Sequence, residues 1–171
     1  MLFESIFQIY FMRLKSAFLL LLVLFSYGLN AQSNWLNSAG GTANDEAIKN
    51  CSDKSGNLYT TGYYSITSSF ENSVLTALGS GDIFIAKQNS TGSYVWAVSA
   101  GGVLSDRPYD ISTDNNGNLF VTGYYSGQAV FGSNALNSNN NSQDIFVAKI
   151  DTAGNFIWVK SFGGNENDLG L

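Results

Sequence analysis

Histidine is absent from this chain, cysteine and proline occur once each, and only 12% of the residues carry charge. Each scarcity excludes something. Without histidine there is no Ser-His-Asp or Cys-His arrangement for nucleophilic catalysis. The single cysteine, Cys51, cannot form an internal disulfide, so the fold is held by packing alone. No basic residue lies near it in sequence beyond Lys49 and Lys54, and nothing marks it as a nucleophile. After residue 32 only Arg107 remains among the arginines, too few for the cluster that an anionic-sugar hydrolase needs. In the same stretch six Lys or Arg face twelve Asp or Glu. An acidic surface of that kind repels phosphate backbones, which argues against nucleic acid as a partner. What is abundant is Gly, Ser, Asn, Thr and aromatic residues. That mixture fits many short strands joined by turns better than helices or disorder.

The one long apolar run stands apart from this composition. Arg13 and Lys15 precede Ala17 to Tyr27, an apolar core too short for a membrane span of ~20 residues, and Ala31 followed by Gln32 offers a cleavage point. Residues 1–32 therefore read as a Sec-type signal peptide, with Met12 as the true start. The chain is expected to be secreted or held at the cell surface, with no membrane span after signal removal. No cysteine near the cleavage point provides a lipid anchor.

Beyond that segment the chain repeats itself. The stretch GNLYTTGYYS, Gly56 to Ser65, returns 61 residues later as GNLFVTGYYS, Gly117 to Ser126, with eight of ten positions identical. Trp35, Trp96 and Trp158 follow the same step, as do the Gly-Gly pairs at 40, 101 and 163, and Asp45, Asp106 and Asp168. DIFIAK at Asp82 recurs as DIFVAK at Asp144, carrying Phe84 and Phe146. The spacing lengthens by one residue between Phe131 and Asp144, which marks a loop. Self-similarity at a fixed period is the signature of repeated structural units.

A second rhythm runs inside each repeat: DKSGN at 53, NSTGS at 89, DNNGN at 114 and DTAGN at 151. Asp or Asn bonds the backbone two residues on, and a Gly such as Gly56 or Gly117 takes the left-handed conformation that closes a hairpin. Asp53 and Asp114 are thus read as turn residues. The flanking segments have the alternation and the Tyr, Phe, Val and Ile content of strands, predicted at about 47–52, 57–64, 82–88 and 93–99 of the first repeat. Both faces of these strands carry apolar groups, including Tyr63, Tyr64, Tyr124 and Tyr125. Gly62 and Gly123 in mid-strand point to a bulge or a close backbone approach.

Four antiparallel strands per repeat, apolar on both faces, make the blade of a β-propeller, and identical blades need identical packing residues. The chain is expected to be all-β: two four-stranded antiparallel blades plus partial blades, preceded by a signal peptide. The boundaries are 33–46 for the last strand of a preceding blade, 47–107 for the first repeat and 108–169 for the second, after which a third begins. A closed propeller takes roughly four to eight blades. The sequence thus predicts a truncated reading frame or one piece of a longer gene, with self-association through unclosed blade edges as the alternative.

The order Gly-Gly, Asp, D-x-x-G-N-L-[YF]-x-T-G-Y-Y-S, Phe, D-I-F-[IV]-A-K and Trp resembles the bacterial β-propeller repeat called SBBP, and the resemblance covers residues 34–171. It implies a secreted or surface propeller of Bacteroidetes-like type. Asn50 stands where the second copy has Ile111, and Cys51 faces Ser112, so the first strand is the less regular of the two.

The weak metal candidates are Asp45, Asp106 and Asp168, one per repeat. In a complete ring they would form a circle of carboxylates able to hold calcium; alternatively each caps a turn by bonding backbone N–H groups. The loops 65–81 and 126–143 differ most between copies, and variable loops on a repeated scaffold are where recognition usually resides. The chain is expected to be a non-enzymatic binding or interaction scaffold for a protein or glycan, with no cofactor. The alternative is part of a lyase or glycosidase whose catalytic residues lie in other blades, since glycoside cleavage needs two carboxylates at a set separation and nothing here selects a pair.

Overall fold

The computed structural model describes residues 36–169, so the signal-peptide reading and Trp35 lie outside the described residues. Twelve strands and one short 3₁₀ turn make up the regular structure among them. The first blade contains β1 (Asp45–Ser52), β2 (Leu58–Tyr64), β5 (Asp82–Gln88) and β6 (Tyr94–Gly102), each antiparallel to the next. The second repeats the plan with β7 (Arg107–Thr113), β8 (Leu119–Ser126), β11 (Gln143–Ile150) and β12 (Phe156–Phe162). These are the blades that the repeat predicts, and their strands fall within a few residues of the predicted bounds.

The four tight turns close as their residues dictate. In the first, Asp53 Oδ1 accepts the backbone N–H groups of Ser55 and Asn57 at 2.9 and 3.0 Å, while Gly56 turns left-handed at φ 77°. Asp114 and Asp151 hold their turns in the same way. All four turns lie at one end of the blades.

The segments 65–81 and 126–143 are not open loops. They fold into hairpins, β3 (Thr67–Phe70) with β4 (Ser73–Thr76), and β9 (Gln128–Phe131) with β10 (Asn134–Asn137). The β9 strand pairs with the end of β6, placing Phe131 opposite Ala100 and Ala129 opposite Gly102, so the second blade is hydrogen-bonded to the edge of the first. Ser69 of β3 makes the equivalent bridge to Gly40. The extra residue between Phe131 and Asp144 is absorbed by the 3₁₀ turn Asn139–Asn141, where Asn140 and Asn141 adopt φ of 52° and 58°. Asparagine tolerates that left-handed region better than most residues.

Packing between blades follows from the alternation. Tyr59, Ile83 and Ile85 of the first blade share one buried cluster with Leu119, Val121, Tyr125, Phe146, Ala148 and Ile150 of the second. Full burial of such side chains contributes about 1.5–3 kcal/mol each relative to exposure. Phe131 plugs the seam, 4.9 Å from Phe146 and 5.8 Å from Phe156 between ring centroids. Phe70 does the same for the other face of the first blade, 5.2 Å from Phe84. On the second blade the counterparts of Tyr59, Ile83 and Ile85 are Phe120, Ile145 and Val147, and these remain partly exposed.

Gly62 and Gly123 sit where the backbones approach most closely. A Cβ on Gly62 would lie 2.0 Å from the Glu46 carbonyl oxygen and 2.6 Å from the Phe84 ring, and one on Gly123 would lie 2.1 Å from the Arg107 carbonyl oxygen. The facing strands shift register there, between Ala47 and Lys49 and between Pro108 and Asp110. Both the bulge and the close approach are therefore present.

Candidate functional site

Two tight turns from neighbouring blades form the walls of a polar cleft of about 420 Å³. One wall is the Asp53 turn, the other the Asp114 turn, and Lys87 and Thr152 contribute to its lining. The turn bonds fix the walls. Each Asp spends one oxygen on two backbone N–H groups and the other on an Asn side chain, Asn57 or Asn118, at 2.7 Å. These bonds favour the charged form and hold both carboxyls below the usual Asp range, against a smaller opposing effect of burial at Asp114. At Asp53 burial is the largest single influence and opposes them, yet the combined bonds from Asn57, Tyr59 and Ser55 prevail. The Tyr59 hydroxyl donates to Asp53 Oδ2 at 3.0 Å, while its ring is buried.

Lysine completes the electrostatics. Lys87 Nζ stands 5.4 Å from the Tyr59 ring centroid and donates to the Thr152 carbonyl at 3.4 Å. Trp96 Nε1 donates to the same carbonyl at 3.1 Å, which fixes the Asp151 turn against the cleft. Trp96 and Trp158 act as packing anchors, 6.2 Å from Tyr59 and from Phe120 respectively. Cys51 is half-buried, and burial pushes its thiol up to about 11, with Asp110 and Asp53 adding to the shift. A thiol held protonated in that way is a poor nucleophile.

The aspartates singled out as metal candidates have other partners. Asp45, Asp106 and Asp168 each accept the N–H of the second glycine of the preceding Gly-Gly pair, Gly41, Gly102 and Gly164, at 2.7, 2.7 and 2.9 Å. Among the described residues no group of three or more His, Cys, Asp or Glu is arranged to hold a metal ion. The turn-capping bond is thus present at all three, while Asp45 Oδ1 is buried without a partner.

Sequence reasoning missed a second role for one of them. Asp82 and Asp106 are both fully buried and flank Gly101, each with its carboxyl 2.8 Å from where a Gly101 Cβ would stand. Asp106 Oδ1 also accepts from Ser126 N–H at 3.0 Å, and Asp82 Oδ2 accepts from Leu78 N–H at 2.9 Å, but Asp82 Oδ1 is buried without a partner. Burial pushes Asp106 up to about 7, and the Asp82 charge adds to it. The parallel spacing of the DIF aspartates and the Gly-Gly aspartates was the available signal.

The long hairpins, expected to carry recognition, also pair with neighbouring backbone at Gly40 and at the end of β6. No helix of the described residues is long and apolar enough to cross a membrane.

Comparison with known proteins agrees with the blade geometry. A family model described as a beta-propeller repeat, SBBP, matches residues 96–124, from the last strand of the first blade into the second strand of the next. An uncharacterized WD repeat-containing protein, L264, from Acanthamoeba polyphaga mimivirus is 32% identical over 91 residues. That alignment covers 50% of this chain and 7% of the viral protein, so the chain matches only a small part of this relative. Both findings are likenesses to propeller-repeat proteins, and they agree with the all-β blade architecture.

Proposed function

We propose that this chain is an exported β-propeller segment that works outside the cell or at its surface as a non-enzymatic binding scaffold. The observation that carries the reading is the polar cleft between the Asp53 and Asp114 turns, a concave site made by a motif that recurs with each blade. The chemistry of the buried acids supports binding rather than turnover. Asp82 and Asp106 are sealed from any substrate, and Asp53 and Asp114 are saturated by their own turns. Export rests on the basic and apolar N-terminal segment of the sequence.

Self-association belongs to the same proposal. Phe120, Ile145 and Val147 leave an apolar face half-exposed where their counterparts in the first blade are sealed, so a second copy has a surface to cover.

The test is to display the full chain to immobilised glycans and extracellular proteins and to recover each bound species for mass spectrometry. Retention of a partner returned intact supports the scaffold. A partner returned cleaved overturns it in favour of a propeller enzyme, and the absence of any retained species overturns it without favouring one.

A further inference from the structure

We infer that the cleft between the Asp53 and Asp114 turns binds a neutral sugar unit of a longer glycan. This rests on the scaffold reading and adds the site and the ligand class.

Size and charge narrow the choice. About 420 Å³ lies within the range of small-ligand sites, ~300–1,000 Å³. Asp53 and Asp114 are balanced in the lining by Lys54 and Lys87, so the cleft has no net preference for an anion or a cation. A phosphate or sulfate entering it would meet two ionised carboxylates beside the two lysines, one of which already donates to Thr152, and so gains no net attraction. An apolar ligand finds little to cover, because the one aromatic residue of the lining, Tyr59, has its ring buried. What remains is a neutral molecule dense in hydroxyl groups.

The walls are equipped for such a molecule. Both turns use backbone N–H groups of Ser55 and Asn116 for their own closure, which leaves the Ser55 hydroxyl and the Asn116 amide for a ligand. Asn115 stands beside them, exposed. An amide presents a donor and an acceptor side by side and so matches two adjacent sugar hydroxyls, while Lys54 supplies further donors. The rigid turns hold these groups without the ordering cost a flexible loop would add. The D-x-x-G-N turn recurs at 53, 114 and 151, but its two middle residues change from Lys54-Ser55 to Asn115-Asn116 to Thr152-Ala153, so the ligand-facing groups are particular to this cleft.

Isothermal titration of the full chain with lactose, cellobiose, mannobiose and diacetylchitobiose, and with a sugar phosphate as contrast, tests the inference. At least one neutral disaccharide should bind, and the sugar phosphate should not. The double variant Asn115→Ala, Asn116→Ala should weaken that binding by about tenfold or more through lost hydrogen bonds. Its circular dichroism should be unchanged, because both side chains are exposed and outside the turn bonds. Should the double variant lose its fold, Ser55→Ala gives the same readout from the other wall. Silence across the neutral panel, preference for the sugar phosphate, or binding untouched by these variants overturns the inference. Retention of a protein partner with a silent sugar panel overturns it while leaving the scaffold intact; a bound glycan returned cleaved overturns the scaffold but not the cleft.

Discussion

Arg107 of the second blade stands over Tyr63 of the first, with its guanidinium carbon 3.8 Å from the ring centroid. The Tyr63 hydroxyl donates in turn to Glu46 Oε2 at 2.6 Å. Glu46 and Arg107 occupy the same position of successive repeats, so a break in the repeat places opposite charges on the two sides of one ring. The cation contributes to the seam by facing the electron-rich ring. Arg107→Ala should lower the midpoint of urea unfolding, and Arg107→Glu, which restores the first-repeat residue, should lower it further because two carboxylates then meet at Tyr63. Equal midpoints for the two variants would show that the charge at this position is idle.

Asp106 makes stability depend on pH in a direction opposite to that of most carboxylates. Its folded-state pKa is raised from 3.8 to about 7, chiefly by burial. The folded chain therefore keeps a proton that the unfolded chain releases. Stability is full below the ordinary Asp range, falls as pH rises from about 4 to about 7, and levels off above. Asp53, Asp114 and Asp151, whose pKa values are lowered, act the other way and add a loss on strong acidification, small because all three are well solvated. Thermal unfolding across that range should show the decline, and Asp106→Asn should flatten it. An unchanged slope in the variant would assign the decline to other groups.

Gly62 and Gly81 separate steric need from mere occurrence. Alanine at 62 drives its Cβ into the Glu46 carbonyl, and backbone cannot move aside cheaply. We expect Gly62→Ala to cost about 3 kcal/mol or more, at the upper end of overpacking effects. At Gly81 the nearest atom to a new Cβ is 3.8 Å away, so Gly81→Ala should stay within ~0.5 kcal/mol of the parent. Equilibrium denaturation of the pair checks both.

Phe131 ties local to global stability, since it is fully buried, packs tilted against Phe146 and edge-to-face against Phe156, and lies in the strand that pairs with the first blade. Phe131→Ala should cost about 3–5 kcal/mol. Hydrogen exchange should also quicken at Gly101, whose pairing with Val130 of β9 then loosens. Protection retained there would mean that backbone bonding alone holds the two blades together.

Much of the fold was legible because its causes are local. The D-x-x-G turns could be placed from Asp and Gly alone, and the strand alternation in LFVTGYY needs no partner to be seen. The hairpins β3–β4 and β9–β10 were not legible. Their strands are four residues long, and TSSF and NALN are rich in Ser and Asn, with little strand preference of their own. They form because Gly40 and the end of β6 offer unpaired backbone groups and because Phe70 and Phe131 find a place to be buried. The repeat spacing showed that Asp45, Asp106 and Asp168 are equivalent, but spacing could not tell which way each carboxylate turns. The cleft was missed for a related reason: each turn was read by itself, and the space between two turns exists only once blades are packed.

The sequence by itself determined the strands, the tight turns and the repeat, because alternation and side-chain-to-backbone bonding act over a few residues. Tertiary structure alone decided that Arg107 meets Tyr63, that Asp82 and Asp106 are sealed beside Gly101, and that the Asp53 and Asp114 turns face each other across a cleft. Those pairs lie far apart along the chain. What brings them together is the burial of two apolar faces against each other, and that packing fixes which polar groups are left paired, sealed or open to a ligand.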